Sequence, residues 1–286
     1  MNIAAKLKKI IVNGVNVLTL VERRFSGIDG SQRAGAFAYY TFFSLFPLII
    51  LFITIASAFI DKEQAGNAVI GYIGIYAPIG AQLKRQIFGV LSGLMNARGQ
   101  AGVAASVILF WSANQFIKAL IVTSNRAWRA QVYNWWQLPL KSLVLFCIMA
   151  GVVLVGILVP VAAQMLESLL FPVQNHLLAV YRTERLLVPM LVLFFGLSLF
   201  YKIAPRKEVR YSQVWLAALA ATLFLRAGEL LFLIYLKNFT AFNAVYGVFG
   251  GIMALLLWIY ISGYIIIFGV CLCAVMAEPG SDRECP

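Results

Sequence analysis

Charge is scarce in this chain, and histidine almost absent: 286 residues include 11 Asp and Glu and a single His, and charged residues of both signs make up only 12%. The carboxylates are scattered, so no clustered His/Asp set is available to hold catalytic metal ions, and no metal site is expected. Cysteine is also sparse. Cys147, Cys271 and Cys273 fall inside apolar runs and Cys285 near the C-terminal end, which excludes a disulfide framework. Cys271 and Cys273 are two apart, a spacing that points them to nearly opposite faces of a helix and away from a shared metal. No Gly-x-x-x-x-Gly-Lys-Ser/Thr run occurs, so any ATP dependence would come from a partner. Nor can a nucleophile be paired with a base, and neither an enzyme nor a cofactor is implied.

What the chain has instead is apolar surface, at 62% of residues. One water-soluble core could not hide that much without leaving large exposed patches, so lipid must be the main solvent. A crossing needs about 20 mostly apolar residues, and six segments qualify, near 34–60, 101–123, 139–165, 186–204, 214–236 and 244–276. The expected fold is therefore all-α: one integral membrane domain over 1–286 with six transmembrane helices. The first 30 residues lack a continuous apolar core and a small-residue cleavage site, so no cleaved signal peptide is expected.

With six crossings both termini share a side. Fifteen of the 23 lysines and arginines fall on that side, seven on the other, and Arg226 lies within the fifth run. The positive-inside rule then puts both termini in the cytoplasm. The net charge of +12 is explained by this topology and by the anionic inner leaflet, so membrane lipids, and no nucleic acid, are the expected partners.

Two segments are not crossings. Within 1–33, Leu7, Ile10, Ile11, Leu18, Val21 and Phe25 recur near the helical period, with Lys6, Lys8, Lys9, Asn13 and Asn16 largely elsewhere, as in an amphipathic helix lying at the inner interface. A plain topology anchor explains this as well as a lipid-sensing role. The outer loop, 61–100, is long for a connection. Its Leu83, Ile87, Leu91 and Leu94 share a face opposite Lys84, Arg85 and Gln86, which predicts short outer helices, either a cap on the span ends or a lid. A short cytoplasmic tail follows over 277–286.

The candidate site residues are the polar groups inside the runs. Arg226 lies about twelve residues into its span, where leaving a charge costs at least about 2.5–3.5 kcal/mol on insertion scales. Glu229 is one turn on, in reach for an ion pair, and a purely structural pair is as good a reading as a binding site. Arg33, Tyr40, Thr41 and Ser44 form a second stripe, ahead of Pro47, which leaves the Phe43 carbonyl without its helix partner. Hydroxyls bonding back to their own helix explain the stripe equally. Asn114 and Gln115 need amide partners in the bundle, while Trp128, Trp135 and Trp136 suit an aromatic belt. Tyr246, Gly247, Gly250 and Gly251 suggest close helix contact with freedom to bend.

Three stretches together resemble the YihY/BrkB family of bacterial inner-membrane proteins: Arg33 through Leu48, reading RAGAFAYYTFFSLFPL; Asn125-Arg126-Ala127-Trp128; and YGVFGGIMALLLWIYISGYIIIFG from Tyr246. The resemblance implies six transmembrane helices with cytoplasmic termini in the bacterial inner membrane. It also implies an envelope role, with some members linked to serum resistance and others to lipid or lipopolysaccharide export. The family long carried the label ribonuclease BN, against which the lone His176, expected on the outer side, argues. Many relatives read Gly-Ala-Glu where this chain has Gly269-Val270-Cys271, so a membrane carboxylate is missing here. The leading expectation is a transporter or flippase for a phospholipid or other anionic amphiphile. The alternative is a non-transporting scaffold for an envelope-assembly complex, with envelope protein partners.

Overall fold

The computed structural model describes residues 3–59, 98–131, 133–170, 178–238 and 243–278. Among them are seven helices and no strand: α1 Ile3–Gly27, α2 Gly30–Phe59, α3 Arg98–Ala127, α4 Gln137–Leu170, α5 Leu178–Ile203, α6 Tyr211–Asn238 and α7 Asn243–Ala277. The six apolar runs fall on α2 to α7, with only residues 60 and 204 outside them. Among the described residues, four stretches are long and apolar enough to cross a membrane, Ser106–Ala127, Gln137–Gly156, Tyr211–Leu236 and Gly250–Ala277, and α5 carries a shorter one, Leu187–Ile203. Six were expected from sequence. The expected outer helices over 61–100 and His176 lie outside the described residues, apart from the start of α3.

Local chemistry sets the helix ends. Between α1 and α2, Asp29 takes a left-handed backbone (φ 55°), and a Cβ on Gly30 would stand 2.5 Å from the Phe25 ring, so the turn requires glycine there. Arg129 is also left-handed (φ 50°), and the Ala130 N–H closes back onto the Asn125 carbonyl at 2.9 Å, a Schellman-type end to α3 without glycine. Helix α4 starts with Gln137 and Leu138 donating to the Asn134 carbonyl. Pro139 sits in its first turn, where a missing N–H costs nothing. Pro205 follows the end of α5, which it cannot continue.

The chain divides into two compact units, residues 1–35, 117–230 and 261–286 in the first, 36–116 and 231–260 in the second. In the first, Val21, Ile121, Leu145, Tyr201, Val214, Thr222, Ile267, Val270, Cys271 and Cys273 are all fully or almost fully buried. Helices here meet through small residues, as packing in lipid demands. A Cβ on Gly269 would collide with the Tyr201 hydroxyl and reach Ala221 at 3.3 Å, so α5, α6 and α7 converge at that glycine. Tyr201 Oη donates to the Ile266 carbonyl at 3.1 Å. In the second unit Phe37 meets Phe116 at 4.8 Å and Phe232 stacks on Trp258 at 5.2 Å. Large apolar side chains such as Phe110, Trp111, Leu231 and Met253 remain exposed, the surface expected of a protein solvated by lipid.

In α1 the apolar face serves the protein as well as any membrane. Val21 and Phe25 are buried, Phe25 against Tyr264 (4.4 Å) and Phe268 (5.9 Å) of α7, whereas Leu18 and Val15 are exposed.

Helices α4 and α5 touch where a Cβ on Gly156 would strike Val192, while one on Gly151 meets nothing. Gly156→Ala should therefore destabilise the detergent-solubilised protein by about 1–3 kcal/mol, and Gly151→Ala should leave its thermal unfolding temperature unchanged or raised. Equal effects would show that the α4–α5 contact is absent.

Candidate functional site

Helix α6 buries Val214, Ala217, Ala218, Ala221, Thr222 and Leu225, and exposes Leu223, Phe224, Leu230 and Leu231. Glu229, four residues after Leu225 and seven after Thr222, continues the buried face by helical period. Yet its side chain is 45% exposed, and that of Arg226 28%. The inward face of α6 thus opens at the level of this pair. Arg226 Nη1 donates to Glu229 Oε2 at 2.6 Å, the i,i+3 pairing expected from sequence. Neither side chain makes another hydrogen bond within the described residues, so Arg226 Nη2 and Glu229 Oε1 remain available. Thr222 is satisfied locally, donating to the Ala218 carbonyl at 2.7 Å.

The other sequence-predicted residues are split. Arg33 belongs with Arg226 and Glu229 in the first unit, whereas Tyr40, Thr41, Ser44, Pro47, Asn114, Gln115, Tyr246, Gly247, Gly250 and Gly251 belong to the second. There, the Phe37–Phe116 contact joins α2 to α3 within a turn of Tyr40 and Thr41 on one helix and beside Asn114 and Gln115 on the other. Ser44 Oγ donates back to the Thr41 carbonyl at 2.7 Å. Thr41 Oγ1 is buried with no hydrogen-bond partner among the described residues, and Pro47 is buried three residues after Ser44. Tyr246 and Gly247 lie in the first turn of α7. Gly250 is buried, but Gly251 faces open space that a methyl group would not fill.

The most closely tied polar cluster is one that sequence reasoning did not single out. Asn125, fully buried, donates through Nδ2 to the Ile121 carbonyl at 3.0 Å and accepts at Oδ1 from the Arg206 backbone N–H at 2.8 Å. It thereby fastens the end of α3 to the segment between α5 and α6. Arg24 donates to the Ala127 carbonyl at 2.8 Å and to both Glu278 oxygens at 2.6 and 2.9 Å, joining α1, α3 and the residue after α7. The available signal was the Asn-Arg-Ala-Trp stretch, noticed for its resemblance only. Trp128 is a correction: it is 7% exposed, with Nε1 lacking an acceptor among the described residues. It packs within the protein instead of anchoring at an interface, as Trp135 and Trp136 with more than 70% exposure can.

At the same end, Arg33 Nε donates to the Ile28 carbonyl at 2.5 Å. Burial lowers its proton affinity, the nearby charge of Arg126 lowers it further, and Asp29 partly offsets both. Burial likewise raises the Tyr133 phenol, against the opposing charge of Arg206, whose guanidinium lies 5.5 Å from the Tyr133 ring centre.

Residues 21–284 match the profile of the family described as virulence factor BrkB. The chain belongs to that family. Its relatives include a putative ribonuclease-like protein, YfkH, of Bacillus subtilis, 29% identical over 86% of this chain and 90% of its own length. A UPF0761 membrane protein of Haemophilus influenzae is 23% identical over 92% of this chain and 95% of its own. Another from Xanthomonas oryzae is 27% identical over 89% of this chain, which spans only 59% of that longer relative. No solved structure gives a significant match. The resemblance read from the three motifs is thus borne out, and the chain is a member of a membrane-protein family. Among the described residues no three of His, Cys, Asp and Glu come together as metal ligands.

The Asn125 junction makes a direct prediction. Asn125→Ala strips the acceptor from the Arg206 N–H, and thermal unfolding in detergent should report a loss of about 1–3 kcal/mol. A variant as stable as wild type would mean that the junction does not hold α3 to the α5–α6 segment.

Proposed function

We propose that this protein moves an anionic amphiphile, such as a phospholipid, between the leaflets of the bacterial inner membrane. One observation carries the reading: a charged pair in an apolar helix, Glu229 continuing the buried face by helical period and Arg226 at its edge, lying half-open with two guanidinium nitrogens and one carboxylate oxygen uncommitted among the described residues. A pair built only for stability would be expected to use its hydrogen-bonding capacity and exclude solvent. A phosphate headgroup matches the free guanidinium edge, and Glu229 holds Arg226 in place until an anion competes for it. Tyr40, Thr41, Ser44, Asn114 and Gln115 are further candidates, from the sequence, for contact with the amphiphile.

The reading includes six crossings with both termini in the cytoplasm, supported by the asymmetry of Lys and Arg along the chain. Green fluorescent protein fused at the C-terminus should fluoresce and alkaline phosphatase there should be inactive; the reverse pattern overturns the topology.

Transport is tested by leaflet exchange of labelled phosphatidylglycerol in liposomes carrying the purified protein. Arg226→Ala should slow exchange by roughly tenfold, the effect of losing a charge-assisted hydrogen bond. Glu229→Gln, which frees the arginine, should keep exchange at or above the wild-type rate. No exchange by folded wild-type protein, or equal loss of folded protein in both variants, would instead favour a scaffold in which the pair is structural.

A further inference from the structure

We propose that Tyr133, Lys141 and Arg206 form a docking site for the headgroup of an anionic phospholipid, at the end of the first unit where Asn125 joins α3 to the α5–α6 segment. This goes beyond the transport reading, since none of the three residues is on α6 and the site could exist in a protein that moves no lipid.

Three segments meet at one aromatic ring. The Lys141 ammonium, near the start of α4, lies 5.9 Å from the centre of the Tyr133 ring, and the Arg206 guanidinium, on the α5–α6 segment, lies 5.5 Å from the same centre. All three residues belong to the first unit. Hydrogen bonds hold the backbone at or beside each of them. The Arg206 N–H donates to the fully buried Asn125 at 2.8 Å. Asn134, next to Tyr133, accepts through its carbonyl from the Gln137 and Leu138 N–H groups that open α4. Lys141 precedes Ser142, which is fully buried and donates to the Pro139 carbonyl at 2.7 Å.

The ring positions these cations without consuming them. Both stand close to the outer limit, about 6 Å, at which an aromatic face attracts a cation. The Lys202 ammonium, by contrast, sits 3.6 Å from the centre of the Tyr211 ring. Neither Lys141 nor Arg206 has a carboxylate partner among the described residues, although exposed Glu208 follows Arg206 by two positions. A phosphodiester suits this arrangement: Arg206 can donate to two phosphate oxygens at once, Lys141 adds a second charge, and the Tyr133 phenol adds a neutral donor. The surroundings favour a lipid over a soluble phosphate. Trp135 and Trp136, two and three residues beyond Tyr133, are largely exposed with ring centres 4.2 Å apart, and such amphipathic rings settle at the headgroup level of a bilayer. Leu140, beside Lys141, is exposed and is followed at helical spacing by exposed Leu143 and Val144. That strip gives an acyl chain a surface leading away from the charges, for which a soluble phosphate would have no use.

The test uses full-length protein in neutral detergent at constant ionic strength. Retention of phosphatidylglycerol and of zwitterionic phosphatidylethanolamine is titrated by native mass spectrometry, and inorganic pyrophosphate is titrated against thermal unfolding. Wild type is compared with Lys141→Gln, Arg206→Gln and Lys207→Gln, Lys207 being the exposed basic neighbour of Arg206. Arg206→Gln keeps the backbone N–H that Asn125 holds, so the junction survives the change. Wild type should prefer phosphatidylglycerol, and Lys141→Gln and Arg206→Gln should each bind it roughly tenfold more weakly. Lys207→Gln should stay within about twofold of wild type. The losses should persist on an Arg226→Ala background; if they vanish there, the lipid was held on α6 and the proposal falls. No preference for phosphatidylglycerol, equal binding by wild type and both cation variants, or an equal loss in Lys207→Gln would overturn it, the last by reducing it to diffuse basicity. Pyrophosphate binding that weakens in the cation variants while lipid retention does not would replace the lipid with a soluble phosphate. Without lipid, both cation variants should unfold at the wild-type temperature, and unfolding well below it would overturn the proposal by making the contacts with Tyr133 structural.

Discussion

A polar group inside hydrocarbon must find its partner within the protein, because no water is there to supply one. Most of the architecture follows from that constraint. The backbone satisfies it by running as helices, and the hydroxyls of Thr123, Ser142, Thr222 and Ser44 satisfy it by donating to carbonyls three or four residues back. Tyr201 spends its hydroxyl on the Ile266 carbonyl where Gly269 leaves room for it. These local solutions add little binding energy but remove a penalty of several kcal/mol for each group left bare. Against that background the exceptions stand out: Thr41, Ser124, Trp128 and Ser198 each keep a buried polar atom without a partner among the described residues, and Arg226 and Glu229 answer one another while staying half-open.

Charge is distributed differently at the end of the first unit where Arg24 meets Glu278. There the partners are long-range, with Asn125, Arg24 and Glu278 tying together segments far apart in sequence. In this unit, apolar packing among small residues sets how closely α5, α6 and α7 approach, and the polar ties set how their ends are joined. The two kinds of contact are complementary: van der Waals packing in lipid is weakly directional, whereas Asn125 accepts from one specific backbone N–H.

The positions of the helices were legible because each apolar run is long and bounded by breakers such as Gly27, Pro139 and Pro205. The Arg226–Glu229 pair was legible too, since an i,i+3 spacing on one helix fixes geometry without knowledge of any neighbour. Contacts between distant segments were not. Nothing in the run around Asn125 says that its amide receives the Arg206 N–H, and nothing around Trp128 distinguishes a buried ring from one at an interface. Amphipathicity in α1 revealed a face but not its occupant: Phe25 lies on Tyr264 and Phe268, and a periodic pattern reads the same over protein or lipid.

The clasp between Arg24 and Glu278 spans 254 residues, and the ring of Phe25 beside it waits for α7. A ribosome adding about 5–20 residues per second needs roughly 13–50 s to make the second half of that contact after the first. During that interval α1 is complete but has no α7 to rest on. Made before α2 to α7, α1 is therefore among the last of these helices to be seated, and the clasp can close only once α7 has been delivered.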